Sequence, residues 1–136
     1  MRGKDNPKGI TAPNPDADRD IIQHITKHRG QKTPYTSVSE DSKSIRHIQG
    51  ILYKVDSEDV QNDGHGFIFH SVLIDRVRSV MQSSTRADRV LAIRAYQLAA
   101  RAREALIDWQ FELSGMAPKD RITWCYNHIQ KYFDKA

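Results

Sequence analysis

The feature that most constrains this chain is a change of period at Asp108. Upstream, Leu91, Ala95, Leu98, Ala102 and Ala105 recur at spacings of four and three. Downstream, Trp109, Phe111 and Leu113 alternate with Asp108, Gln110 and Glu112. A period near 3.6 lays one apolar stripe along a helix, whereas a period of two sends successive side chains to opposite faces of a strand. Both patterns in adjacent segments predict an α+β fold.

The remaining elements follow from the same signals. Leu73, Val77 and Val80 extend the helical period, so two helices are expected over residues 71–106, divided by "SSTRAD" with Ser or Thr as the cap. Ile21, Ile22 and Ile25 predict a short helix that starts after Asp18 or Asp20 and ends at Arg29-Gly30. "YTSVS" (35–39) reads as a strand, Glu40 to Ile48 as a second short helix stopped by Gly50, and "ILYKVD" (51–56) as a strand. "SEDVQNDGHG" reads as a loop, "SGMAP" as a turn, "ITWCY" (122–126) as a further alternating strand, and "NHIQKYF" as a terminal helix.

A chain of 136 residues is of ordinary size for one domain. Residues 1–20 hold three prolines, two glycines and almost no large apolar side chain, which predicts a flexible arm or loop ahead of a single α+β domain over 21–136. No segment reaches the roughly 18 apolar residues of a membrane span, and the N-terminal stretch lacks the apolar core of a secretory signal, so nothing in these residues themselves is expected to direct export. Cys125 is the only cysteine, so an internal disulfide is excluded and a packed thiol between Trp124 and Tyr126 is expected. The net charge is +4, with acids interspersed among the bases, and this supports only mild attraction to anionic partners.

Two sets of side chains could carry chemistry. Asp108, Gln110 and Glu112 would share one strand face, where carboxylates and an amide can hold sugar hydroxyls and stabilise developing positive charge. Thr36, Ser37 and Ser39 could brace a carboxylate or contact a ligand. His65 and His70 flank "GFIF" and could approach one another, but no ligand set at zinc spacing accompanies them, so no metal site is expected. Neither a nucleophile elbow nor a phosphate-cradling glycine loop is present.

Together these pieces resemble the ADP-ribosyltransferase toxins of the cholera and pertussis type. "YTSVS" is similar to that family's Ser-Thr-Ser strand, with Ser37 and Ser39 matching the serines and Val38 in place of the threonine. "DIIQHITKHRG" and "GILYKVD" resemble the helix before that strand and the strand after it. "DWQFELSGMAPKDRITWCY" resembles the catalytic segment, and the likeness spans residues 20–126 discontinuously. One register sets Gln110 at the catalytic glutamate with Asp108 as its companion, implying an inactive domain or a glutamate replaced by glutamine. The other keeps Glu112 as the catalytic carboxylate in a Gln110-x-Glu112 pair. The family's first strand, whose arginine holds the dinucleotide, has no evident counterpart before residue 20, because Arg2-Gly3 resembles the loop after it. Three expectations follow: the sequence starts after that strand, another arginine such as Arg29 replaces it, or the domain does not hold the dinucleotide in the usual way.

The resemblance implies a split sheet with short helices and a two-helix insertion before the catalytic strand. It implies NAD as substrate, cleaved between nicotinamide and ribose, with Ser37 positioning the catalytic carboxylate, Ser39 and Thr36 beside it, and Tyr35 or Trp109 stacked near the nicotinamide. It also implies a domain of a secreted bacterial toxin or effector that acts in a target-cell cytoplasm on a protein acceptor, with an immunity or target protein as partner. The rival reading is a non-enzymatic interaction module that docks a partner on helices 71–106. Nucleic acid is a disfavoured partner, because Arg76, Arg78, Arg86, Arg89, Arg94, Arg101 and Arg103 are interleaved with Asp75, Asp88 and Glu104.

Overall fold

A computed structural model describes residues 2–5, 13–26, 33–46, 51–83 and 85–135. Six antiparallel strands form one sheet in the order β4-β5-β2-β1-β3-β6. They are β1 (Arg2–Asp5), β2 (Tyr35–Ser39), β3 (Ile51–Val55), β4 (Gly66–Ile68), β5 (Glu104–Asp108) and β6 (Phe133–Lys135). The helices are α1 (Ile21–Thr26), α2 (Ser57–Asn62), α3 (His70–Ser83), α4 (Arg86–Ala102) and α5 (Pro118–Ile129), with 3-10 turns at Ser42–Ile45 and Gln130–Tyr132.

The two-residue period of β2 and β5 divides the core. Directly opposed residues of an antiparallel pair share a face, so Tyr35, Ser37 and Ser39 stand beside Asp108, Leu106 and Glu104. On that face Tyr35 and Leu106 pack with Ile68, Leu73, Ile74 and Ala99, under α1, α3 and α4. On the other face Val38, Ala105, Ile107 and Trp109 pack with Val55, Val60, Ile129 and Tyr132. Glu104 to Ile107 are all buried, as expected for a strand covered on both sides. Ala92 and Ala95 are fully buried, and their small side chains let α4 approach Ile22 of α1 and Val77 of α3 closely.

Helix α4 begins under a Thr85 cap, whose hydroxyl accepts from the Asp88 amide. It ends at Arg103, a non-glycine residue in the left-handed region at φ 48° and ψ 51°. That conformation costs a residue that carries a β-carbon on the order of 1 kcal/mol and turns the chain straight from helix into strand at Glu104. The carbonyls at this junction are satisfied by the serine strand: Ser39 Oγ donates to Ala102 O at 2.6 Å, and the Glu40 amide donates to Arg103 O at 3.1 Å.

Several sequence expectations are corrected. The arm expected over residues 1–20 opens instead with a strand, since Arg2–Asp5 pairs with β3 along its whole length and with β2 at Ser39. A strand carrying Arg2 therefore stands beside the serine strand, contrary to the reading of Arg2-Gly3 as a loop. The strand expected at 108–113 lies earlier, at Glu104–Asp108. Its alternation persists beyond the ladder, because Trp109 and Leu113 are buried while Gln110 and Glu112 are exposed. "ITWCY" is helical: Pro118 suits the first turn, and Cys125 and Ile129 face the core four residues apart. "SEDVQN" forms α2, started by Asp56 accepting from the Glu58 amide at 2.9 Å and anchored by Val60. The helix expected at Glu40–Ile48 is a 3-10 turn over Ser42–Ile45, and residues 47 and 48 lie outside the described part.

Candidate functional site

The serine strand meets a buried carboxylate, though not one of those expected. Ser37 Oγ donates to Glu104 Oε2 at 2.7 Å. Glu104 is only 8% exposed, and burial pushes its pKa up to about 7 against the opposing effect of the Ser37 hydrogen bond. On the solvent side, His24 Nε2 lies 2.7 Å from Ser37 Oγ, and His24 Nδ1 contacts Thr33 Oγ1. With Glu104 ionised, the serine proton points to the carboxylate and Oγ accepts from the imidazole. With Glu104 protonated, the serine can turn and donate to His24. The geometry is a short proton relay whose inner group titrates near neutrality. The register also sets Arg2, Ser39 and Glu104 in one row across β1, β2 and β5.

A second concavity lies past the other end of β5. It is open to solvent, has a volume of about 810 Å³, and is lined by Arg19, His65, Trp109, Gln110, Phe111, Glu112, Arg121, Trp124 and His128 among others. His65 sits at the centre of an aromatic cluster, with ring centroids 5.2 Å from Trp109, 5.1 Å from Phe111 and 5.7 Å from His128. The Gln110 amide donates to His65 Nδ1 at 3.2 Å. A backbone amide can only donate, so neutral His65 carries its proton on Nε2, which is buried with no partner among the described residues. Trp124 stacks on His128 at 4.7 Å with planes 11° apart.

Burial holds the pKa of both His65 and His128 below the usual imidazole value, and their mutual repulsion lowers that of His65 further. The unfolded chain therefore binds more protons than the folded one as pH falls below about 6.5, and stability contributed above that pH is lost through the lowered folded pKa values. In urea denaturation the stability of His128→Asn is expected to gain on that of the wild type as pH falls below about 6.5, because the variant lacks one of the two imidazoles that take up a proton more readily on unfolding.

The expected site residues divide between the two places. Gln110 and Glu112 are exposed on the cavity wall and do not meet Ser37. Asp108 is half-buried between Tyr35 and Gly66, and pairs with Arg19 at 3.2 Å. Thr36 Oγ1 accepts from Trp109 Nε1 at 2.7 Å, a packing role. Ser39 is buried and ties β2 to the end of α4 and to the Asp41 turn. Tyr35 is buried against the edge of the His24 ring at 5.5 Å. Arg29 lies outside the described residues. His65 and His70 do not come together: His70 Nδ1 bonds Glu104 O at 2.8 Å while His65 faces the aromatic cluster. Among the described residues no group of three or more His, Cys, Asp or Glu could hold a metal ion. Among the described residues no helix is long and apolar enough to cross a membrane.

Sequence reasoning missed Glu104 and His24. The signal for Glu104 was its place directly after a helix that ends without glycine. For His24 it was a polar side chain on the inner side of the Ile22 and Ile25 stripe. Comparison of the chain with family models, with curated proteins and with solved structures gave no match in any of the three.

Proposed function

We propose that the chain is an NAD-dependent mono-ADP-ribosyltransferase-like domain of the toxin and effector type, with Glu104 as its carboxylate. The observation that carries this reading is the Ser37 hydrogen bond to buried Glu104, in the same row as Ser39 and Arg2. The resemblance asks for a serine strand, a carboxylate held by its serine, and an arginine on a neighbouring strand. Strand β2 carries the serines, β5 the carboxylate, and β1 an arginine at the register position of Ser39, which supports the reading. Neither register of the 108–112 segment brings a carboxylate to Ser37.

In the proposed reaction the bond between nicotinamide and the ribose C1′ breaks, and nicotinamide leaves with the bonding pair. An acceptor nucleophile on a protein then bonds to C1′ and loses its proton. Ionised Glu104 stabilises the positive charge that develops on the ribose, an electrostatic effect of several kcal/mol in a site shielded from water. Ser37 fixes the carboxylate, and His24 gives the relay an outlet to solvent. The biological setting that accompanies this reading is a secreted bacterial protein acting on a host or competitor macromolecule.

Calorimetry with NAD and an assay of released nicotinamide test it. Binding and release are expected, with Ser37→Ala slowing release on the order of tenfold, equivalent to about 1.4 kcal/mol. A chain that neither binds nor cleaves NAD contradicts the proposal. One observation favours the non-enzymatic reading: Val72 on α3 and Val90, Leu91 and Ile93 on α4 are exposed, Val90 at 59%, beside Arg86, Arg89 and Arg94. Unaltered NAD together with stable capture of a protein partner on α4 is the outcome that reading requires.

A further inference from the structure

The cavity beyond β5 is separate from the Glu104 site. Glu104 and Asp108 are the two ends of the strand, about 13 Å apart at the rise of an extended chain, and Gln110 lies further on. The two places also differ in face, because Trp109 belongs to the sheet face opposite to that of Glu104.

Three properties of the cavity define what it can hold. Its volume of about 810 Å³ falls within the usual range for small-molecule sites. Its charges are largely cancelled: Arg121 pairs with Asp16 at 2.9 Å, Lys131 with Asp63 at 3.0 Å, and Arg19 with Asp108 outside the lining. Such a wall suits a neutral ligand better than a polyphosphate. Finally, its apolar elements are flat. Trp124 is 38% exposed although it is a large indole, is backed by His128, and meets Phe111 edge to face at 5.3 Å.

The polar groups left over are of a recognition type. His65 is 7% exposed, and its unpartnered Nε2–H is a donor on a ring kept neutral by burial. The Gln110 side-chain amide is exposed, makes no hydrogen bond among the described residues, and offers one donor and one acceptor side by side. Gly66 makes room for it: a β-carbon there would lie 3.3 Å from Gln110 Nε2 and 3.1 Å from Asp108 Cβ. An amide that reads a donor and acceptor edge, together with an exposed aromatic plate, is the combination that recognises flat nitrogen heterocycles.

We propose that this cavity binds a neutral planar nitrogen heterocycle of the nucleobase kind, stacked on Trp124 and read along its edge by Gln110, with His65 as a further donor. This does not rest on the proposed transferase activity. The shared chemistry could be supplied by a free nucleoside or by nicotinamide, the neutral heterocycle released in the proposed reaction.

The chain has two tryptophans, and both line the cavity, so intrinsic fluorescence reports on it directly. Titration with adenosine, with nicotinamide, and with benzyl alcohol as a flat ligand lacking ring nitrogen separates the sources. Saturable quenching by adenosine, by nicotinamide or by both is expected, and identifies which source fits. Benzyl alcohol is expected to be far weaker. Calorimetry should show Trp124→Ala and Gln110→Ala each weakening the effective ligand by about tenfold, while Glu104→Gln binds it as the wild type does. The proposal is overturned by no saturable quenching with either heterocycle, by equal binding of benzyl alcohol, or by affinity unmoved in both cavity variants. Loss of binding in Glu104→Gln would also overturn it, by making the two sites one. Failure to cleave NAD leaves these readouts untouched, so the two proposals fail separately.

Discussion

Trp109→Ala is expected to destabilise the fold by about 3 to 5 kcal/mol, read as a lower urea midpoint with little change in slope. Trp109 is fully buried directly after the end of the β5 ladder at Asp108. Its backbone amide donates to Pro34 O at 3.0 Å, carrying the pairing with the serine strand one residue past Asp108. Its indole N–H donates to Thr36, and its ring stacks at 12° on Phe111 and meets the edge of His65. Truncation opens a large cavity, unmates the Thr36 hydroxyl and loosens both walls of the aromatic cluster. Trp109→Phe retains most of the packing and loses the hydrogen bond, so a smaller cost of about 1 to 2 kcal/mol is expected.

The second large effect is at Glu104, where stability and activity should move in opposite directions. Burial raises its pKa from 4.5 to about 7, so between those values the folded chain keeps a proton that the unfolded chain releases. The stability this group contributes is complete below about pH 4.5, declines as pH rises, and is lost once pH has passed 7. The span corresponds to about 3 kcal/mol. Glutamine does not titrate, and its amide oxygen can still accept from Ser37. Glu104→Gln should therefore match the wild type near pH 4.5 and exceed it by about 2 to 3 kcal/mol at pH 8, measured by urea denaturation at the two pH values. In the proposed reaction the same substitution removes the charge that stabilises the ribose cation, and it should slow nicotinamide release by roughly 100- to 1000-fold. A group that weakens the fold when ionised, and that the proposed reaction needs in that form, fits the trade of stability against function.

Much of this fold was legible in the residues. The presence of α3 and α4 followed from the helical spacing, and β2 and β3 from their branched and aromatic runs, but α4 buries Ala92, Ala95 and Ala99 rather than the expected stripe, leaves Leu91 exposed and ends at Ala102, so that Ala105 belongs to β5. The core role of Trp109 and Leu113 followed from their alternation, although the strand itself ends at Asp108. What could not be read has specific physical causes. In β1, the four residues Arg2–Asp5 contain no apolar side chain, so the strand depends on the neighbours that supply its hydrogen bonds. In α5, Ile122, Trp124 and Tyr126 imitate a strand, while the helical set that ends in Cys125 and Ile129 includes an inconspicuous thiol. Glu104 looked like one more surface charge among the arginines of α4. Only the left-handed turn at Arg103 directs it inward beside Ser37. The resemblance directed attention to 108–112, whereas the pairing of β2 with β5 brings the start of the strand, not its end, to the relay.

The assignment of Glu104 is tested most directly by nicotinamide release from NAD in four proteins under one set of conditions: wild type, Glu104→Gln, Glu112→Ala and Gln110→Glu. Release by the Glu112 and Gln110 variants at the wild-type rate, with near-complete loss in Glu104→Gln, is the predicted result. Loss in Glu112→Ala with Glu104→Gln fully active, or activity gained only in Gln110→Glu, would contradict the assignment and return the catalytic carboxylate to the 110–112 segment.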